Sequence, residues 1–211
     1  MSVKIDLHIH TYPMSTCSEM SPEEALEESV RLGLTGVCFT EHNKPWDTNE
    51  LDKLRENFNI LILSGMEVDT TEGHIVTYGL HRELEGITPI EDLKRMVDEV
   101  NGFMAAAHPF RGFLVFGLSK LRLDVDQESS NSIFKFVDAV EICSGRQTAS
   151  ENDFSSQVCD KLNLKGIGGS DAHSIKQIGT CVTVFENDIK DEADLIRELR
   201  IGRYKTDIFK K

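Results

Sequence analysis

The residues with the most chemistry in this chain stand in pairs. His8 and His10 close the apolar run Val3-Lys4-Ile5-Asp6-Leu7-His8-Ile9-His10 at i, i+2 spacing, which in a β-strand points both rings to one side. Imidazole is the commonest metal ligand, and two rings at a rigid strand end make half of a coordination site. Alone, the spacing also describes two ordinary strand-end histidines. Asp171 and His173 repeat it, however, and Thr40-Glu41-His42, Gly65-Met66-Glu67 and Ala107-His108-Pro109 place further imidazoles and a carboxylate at the ends of apolar runs. Imidazole and carboxylate without cysteine suit zinc, manganese or iron. Paired ions generate hydroxide from a shared water near neutral pH and clamp attacking and leaving oxygens. The expected nucleophile is therefore a metal-bound hydroxide, with Glu67 as the carboxylate bridging the ions and Asp171 as its partner. No Ser-His-Asp or Cys-His pattern competes, and no glycine-rich phosphate loop precedes a helix.

Such residues need a frame that brings strand ends together, and the chain alternates strand and helix signals with short connections. Ser21-Pro22-Glu23-Glu24 supplies an N-cap, a proline at the first helical position and early acids, so a helix is expected to about Leu32 with a stop at Gly33. Strands follow at Gly36–His42 and from Ile60, with a charged helix around Asn49–Phe58 between them. His74–Gly79 reads as a short strand. A helix opening at Thr88-Pro89 keeps apolar spacing at Leu93, Met96, Val97 and Val100. Strands near Phe103, 139–142, 165–169 and 180–185, a helix near Asp153–Leu162 and a last helix Asp191–Ile201 complete the pattern. Residues 110–125, with Phe110, Phe113, Leu114, Phe116 and Leu118, are apolar for a loop and read as a substrate-side wall or a buried turn with a short helix. Ligands recurring at the carboxyl ends of parallel strands match an α/β barrel, and no repeat or long linker divides residues 1–211, so one domain is expected.

The 211 residues, 39% hydrophobic and 28% charged, fit an ordinary globular chain. No stretch is long and apolar enough to span a bilayer, and Met1–Asp6 lacks the features of a secretory leader. Cys17, Cys38, Cys143, Cys159 and Cys181 are odd in number and dispersed, which argues against a disulfide framework and for a reducing cytoplasm. A net charge of −13 opposes nonspecific attraction to nucleic acid.

Taken in order, Asp6-Leu7-His8-Ile9-His10-Thr11, Thr40-Glu41-His42, Gly65-Met66-Glu67, His74 ahead of Gly79, Ala107-His108-Pro109 and Ser170-Asp171-Ala172-His173 resemble the motifs of the PHP family, named for polymerase and histidinol phosphatase. Leu195–Tyr204 is similar to the family's closing helix. The resemblance implies a distorted seven-stranded, TIM-like (β/α) barrel with two or three divalent ions (zinc, manganese or iron). It nominates as ligands His8, His10, His42, Glu67, His74, His108, Asp171 and His173. Where the family has an aspartate after the first motif, Thr16-Cys17-Ser18-Glu19-Met20 makes Glu19 the nearest equivalent. Glu41 stands where the family has Asp and is not counted as a ligand. Glu141 either lines the site from a strand end or holds a histidine lying behind the ligands in its tautomer, and His81 reads as a surface histidine.

Three functions are compatible with these residues. The first is a phosphoesterase or phosphatase acting on a small phosphorylated metabolite or nucleotide. The others are an amidohydrolase or deaminase, and a non-catalytic PHP module of a larger assembly. Arginines discriminate, since phosphate favours guanidinium donors. Arg111 after His108-Pro109-Phe110, and Arg146 after the Glu141 strand, are the expected phosphate-binding pair. No membrane partner is expected.

Overall fold

A computed structural model describes residues 3–112 and 124–209. Its strands and helices alternate for most of the chain: β1 (Val3–Ile9), α1 (Pro22–Leu32), β2 (Gly36–Phe39), α2 (Thr48–Asn57), β3 (Leu61–Thr70), β4 (Gly73–Tyr78), α3 (Ile90–Glu99), β5 (Phe103–Ala106), α4 (Val125–Glu128), β6 (Ala139–Ser144), α5 (Ala149–Leu162), β7 (Lys165–Gly169), β8 (Val182–Phe185), α6 (Glu192–Ile201) and β9 (Tyr204–Asp207). One sheet takes the order β7-β6-β5-β4-β3-β2-β1-β8-β9. β1, β2 and β3 are parallel, as are β5, β6 and β7. β4 opposes both of its neighbours, so all six parallel strands point the same way.

The sheet curls until the segment after β7 meets β1. There Ile9 bridges Ala172, and His10 N–H donates to the Ala172 carbonyl at 2.9 Å. The result is a single α/β domain with a nearly closed, barrel-like sheet. The described residues form nine strands, not seven, because β8 and β9 add an antiparallel ribbon to the far edge of β1. β9 was not expected: after the last helix the four residues Tyr204–Asp207 are short, and only pairing with β8 makes them a strand.

Local signals account for most helix limits. Ser21 accepts the Glu24 N–H while Glu24 accepts the Ser21 N–H, a reciprocal cap worth about 1 kcal/mol. Gly33, at φ 78°, ends α1 in a conformation that a side chain would strain. α5 begins four residues before the expected Asp153, because Thr148 and Glu151 form a second capping box. Of the apolar stretch 110–125, residues 113–123 lie outside the described residues; Phe110 is buried, packed edge-on against Phe154 of α5.

The core has three parts. One draws on Ile5 and Leu7 of β1, Leu63, Val76, Tyr78, Phe103 and Ile167, and is closed by Leu195 and Leu199 of α6. A second packs Met66, Val68, Met104 and Val140 against Leu93 and Val97 of α3 and Phe154 and Val158 of α5. The third joins Val37, Phe39 and Ile62 to Leu26 of α1 and to Leu51 and Leu54 of α2.

Cys143 and Cys181 are joined in a disulfide with Cα atoms 5.6 Å apart. This overturns the expectation of no cross-link and removes the cysteine argument for a reducing compartment. The bond links the end of β6 to the residue before β8, a proximity created by sheet curvature and hidden by 38 residues of separation. Cys17, Cys38 and Cys159 are free thiols. No helix among the described residues is long and apolar enough to cross a membrane.

Candidate metal centre

Two irregularities in the sheet aim the key side chains. Asp6 pairs with Val37 and Ile9 with Phe39, so β1 uses three residues where β2 uses two, and the extra residue falls beside His8. Likewise Glu141 pairs with Ile167 but Cys143 with Gly168, bulging β6 just after Glu141. Bulges of this kind re-aim side chains next to functional sites. Two other site residues hold left-handed backbones, His108 at φ 28° and Asp171 at φ 51°. A non-glycine residue keeps such a conformation only where its surroundings impose it, at about 1 kcal/mol or more.

The ends of β1, β2, β5 and β7, the middle of β3 and the start of antiparallel β4 meet at one end of the barrel. There the structure brings together His8, His10, His42, Glu67, His74, His108, Asp171 and His173 in three overlapping groups: His8, His10, Glu67 and Asp171; Glu67, His74 and His108; and His10, His42 and His173. Glu67 is 1% exposed and straddles the first two. Its Oε1 lies 2.8 Å from His74 Nδ1 and 2.8 Å from His108 Nε2. Its Oε2 lies 3.1 Å from His10 Nε2 and 3.5 Å from His8 Nε2.

The far nitrogen of each opening histidine is committed elsewhere. His8 Nδ1 lies 3.0 Å from Glu141 Oε1, a carboxylate that can only accept, so Nδ1 carries the hydrogen. His10 Nδ1 lies 3.3 Å from Ser15 Oγ, which donates its own hydrogen to Glu41 at 2.5 Å. Both Nε2 atoms therefore face inward, 3.1 Å apart, beside Glu67 Oε2 and Asp171 Oδ1. Once Nε2 carries no hydrogen, these are four acceptors around one point, an arrangement suited to a cation between them. Asp171 Oδ1 is buried without any hydrogen-bond partner, as expected of an atom meant for a metal. Donor type, burial and the orphaned oxygen all fit divalent ions.

Electrostatics agree. Burial would depress His8, but Glu141, Glu67 and Asp171 outweigh it and raise His8 well above the ordinary imidazole range. Burial would raise Glu67, yet His8, His10, His108 and His74 hold it well below the usual carboxylate range. Asp171 shifts the same way, burial being overcome chiefly by His8 and His10. Burial, then the neighbouring His10, lowers His173 to about 4.

Around these groups lies a buried shell. Glu41 accepts from Thr11 N–H and Oγ1–H, from Ser15 Oγ–H and from Trp46 Nε1–H, and so fixes the His10 partner without facing the cluster. Glu141 takes His8 with one oxygen and the His108 backbone N–H, at 2.8 Å, with the other. Outside this buried shell, the half-exposed Asp69 places Oδ1 3.4 Å from His74 Nε2. Ser15, Trp46 and Asp69 were missed from sequence; for Asp69 the i, i+2 spacing from Glu67 was a usable signal, whereas nothing local marks the other two.

Glu19 is not brought into any of the three groups. It is exposed, and its link to the site is a backbone N–H donated to the His173 carbonyl at 2.9 Å. Arg111 Nη1 lies 2.8 Å from Asp171 Oδ2, and Arg146 Nη1 lies 3.1 Å from His173 Nδ1, so both arginines reach the rim. His81 lies apart, paired with Glu192 on the surface. A cavity of about 190 Å³ opens beside His74, His108 and Arg111, walled by Phe110, Ile133 and Phe134 and also lined by Glu72 and Glu128.

Residues 6–143 match the PHP domain family, and residues 149–204 match the family described as PHP-associated. The chain belongs to the PHP domain family. Among its relatives, the uncharacterized protein MJ1587 of Methanocaldococcus jannaschii is 30% identical over 121 residues, covering 51% of this chain and 68% of that protein. A two-domain protein of Bacteroides vulgatus, described as containing a predicted PHP-like metal-dependent phosphoesterase, shares the fold at a TM-score of 0.73 and 20% identity, over 99% of this chain and 65% of that one. An amidohydrolase of Chromobacterium violaceum, with bound sulfate, aligns at a TM-score of 0.63 and 16% identity, over 95% of this chain and 97% of that one.

Proposed function

We propose that the protein is a phosphoesterase that hydrolyses a small phosphorylated metabolite or nucleotide at a centre of two or three divalent ions held by His8, His10, His42, Glu67, His74, His108, Asp171 and His173. The observation that carries this reading is the placement of Glu67, whose two oxygens serve two groups of acceptors. When bound, paired ions activate water near neutral pH and offset charge on the transferred group.

The chain's own residues supply the rest. Glu141 and the Ser15–Glu41 pair hold His8 and His10 with Nε2 facing inward. Glu67 and Asp171 bring two negative charges; two divalent ions bring four positive ones, leaving a surplus of two. A hydroxide nucleophile takes one of these charges and the two rim arginines add two, so an anionic phosphate ester suits the site better than a neutral amide. Arg111 and Arg146, at the rim, orient the remaining phosphate oxygens and stabilise charge that develops during transfer. The cavity beside His74 and His108 offers room for a small leaving group.

The test is a panel of phosphorylated metabolites and nucleotides incubated with metal-loaded protein beside carboxylic ester and amide panels. Release of inorganic phosphate is the expected outcome. Turnover confined to esters or amides would overturn the proposal in favour of an amidohydrolase.

A further inference from the structure

We infer that Asp6 is a positioning residue that sets two ligands at once, aiming His8 through the bulge in β1 and holding Asp171 at the end of β7. The inference rests on the metal-centre reading above. Asp6 is fully buried, and its carboxylate accepts three backbone N–H groups. Oδ1 takes His8 at 3.3 Å and Ser170 at 2.8 Å, and Oδ2 takes Gly179 at 2.9 Å.

Each bond fixes a different part of the site. The His8 N–H sits at the bulge and turns to Asp6, which closes the kink that points the His8 ring at the cluster. The Ser170 bond pins the Gly169–Ser170 peptide, one before the peptide that enters Asp171. The peptide that follows Asp171 is pinned by β1, since Ala172 N–H donates to the His8 carbonyl at 3.4 Å and the Ala172 carbonyl accepts from His10 at 2.9 Å. Asp171, left-handed at φ 51°, is thus clamped from both sides. The third bond, to Gly179, fastens the segment that leads from His173 to β8.

The donors approach both oxygens, so the residue must offer an acceptor on each. An asparagine offers one, and its NH2 group would face either Gly179 N–H or the N–H groups of His8 and Ser170. Neither arrangement keeps all three bonds.

Asp6→Asn tests this, with folding of the metal-free variant followed by circular dichroism and zinc affinity by competition with a chromophoric chelator. One zinc should weaken by about 10–100-fold, the usual scale for a group that orients a ligand. The zinc held through Glu67, His74 and His108 should keep the parent affinity, and excess zinc should restore kcat in part. A folded variant with a lower Tm but both zinc affinities at parent values overturns the inference. Parent protein that binds fewer than two zinc ions overturns the metal-centre reading instead. If Asp6→Asn does not fold, hydrogen exchange in the parent decides. Zinc that binds through Asp171 must stabilise whatever holds Asp171, so exchange at both Ser170 and Gly179 should slow on adding zinc. Exchange unchanged by bound zinc at those two amides overturns the inference.

Discussion

Glu141 holds the His8 ring by its Nδ1 at 3.0 Å and, with its other oxygen, holds the backbone of His108 at 2.8 Å. One carboxylate thereby selects the tautomer of a residue on β1 and supports the strained backbone of a residue after β5. Glu141→Gln leaves a single acceptor for two donors. If the amide NH2 faces His8, the ring must carry its hydrogen on Nε2, the atom that faces the cluster. Metal affinity should fall about 10–100-fold with the fold retained, whereas His8→Ala or Asp171→Ala should lower occupancy and abolish turnover together. Elemental analysis checks both; lost turnover at full occupancy would mean that His8 and Asp171 are not ligands.

Metal uptake should expel protons. In the metal-free protein the carboxylates around His8 raise it well above the ordinary imidazole range, so a proton there is held more tightly and a bound ion has to displace it. Metal affinity should therefore rise with pH through the neutral range. Calorimetric titrations at pH 7 in buffers of different ionisation enthalpy should differ by an amount that reports at least one proton released per chain. An enthalpy independent of buffer would contradict this.

Arg111 and Arg146 are the proposed phosphate-binding pair. Substituting either by alanine should leave metal content intact and reduce kcat/KM for the best phosphoester by roughly tenfold or more, the scale of one charge-assisted contact of at least about 1.4 kcal/mol. Parent rates in both variants would show that phosphate binding does not depend on the arginines.

Much of this arrangement was legible in sequence because its signals are local. The i, i+2 pairs at His8 and Asp171, the capped start of α1 and the apolar run before each strand-end histidine all lie within a few residues. What was hidden depends on partners far along the chain. The bulges beside His8 and Glu141 exist only in pairing with β2 and β7, and the Cys143–Cys181 bond exists only because the sheet curls. Glu141, left open between two readings, meets His8 across 133 residues of sequence, a contact that no local signal announces.

Glu19 shows the reverse case, where alignment with a family pattern pointed to a residue that the structure leaves in solvent. Glu19→Gln should change neither metal stoichiometry nor turnover. Selective loss of one ion in that variant would show that the 11–20 loop closes over the site when metal binds.

Glu67 is proposed to join two ions within one cluster of histidines and aspartate. Anomalous diffraction from crystals of the metal-reconstituted protein, collected at the absorption edge of the added metal, tests it most directly. The expected result is at least two peaks, two of them about 3.5–4 Å apart beside the Glu67 carboxylate, the spacing typical of two-metal hydrolytic sites. A single peak, or peaks remote from Glu67, would contradict the account.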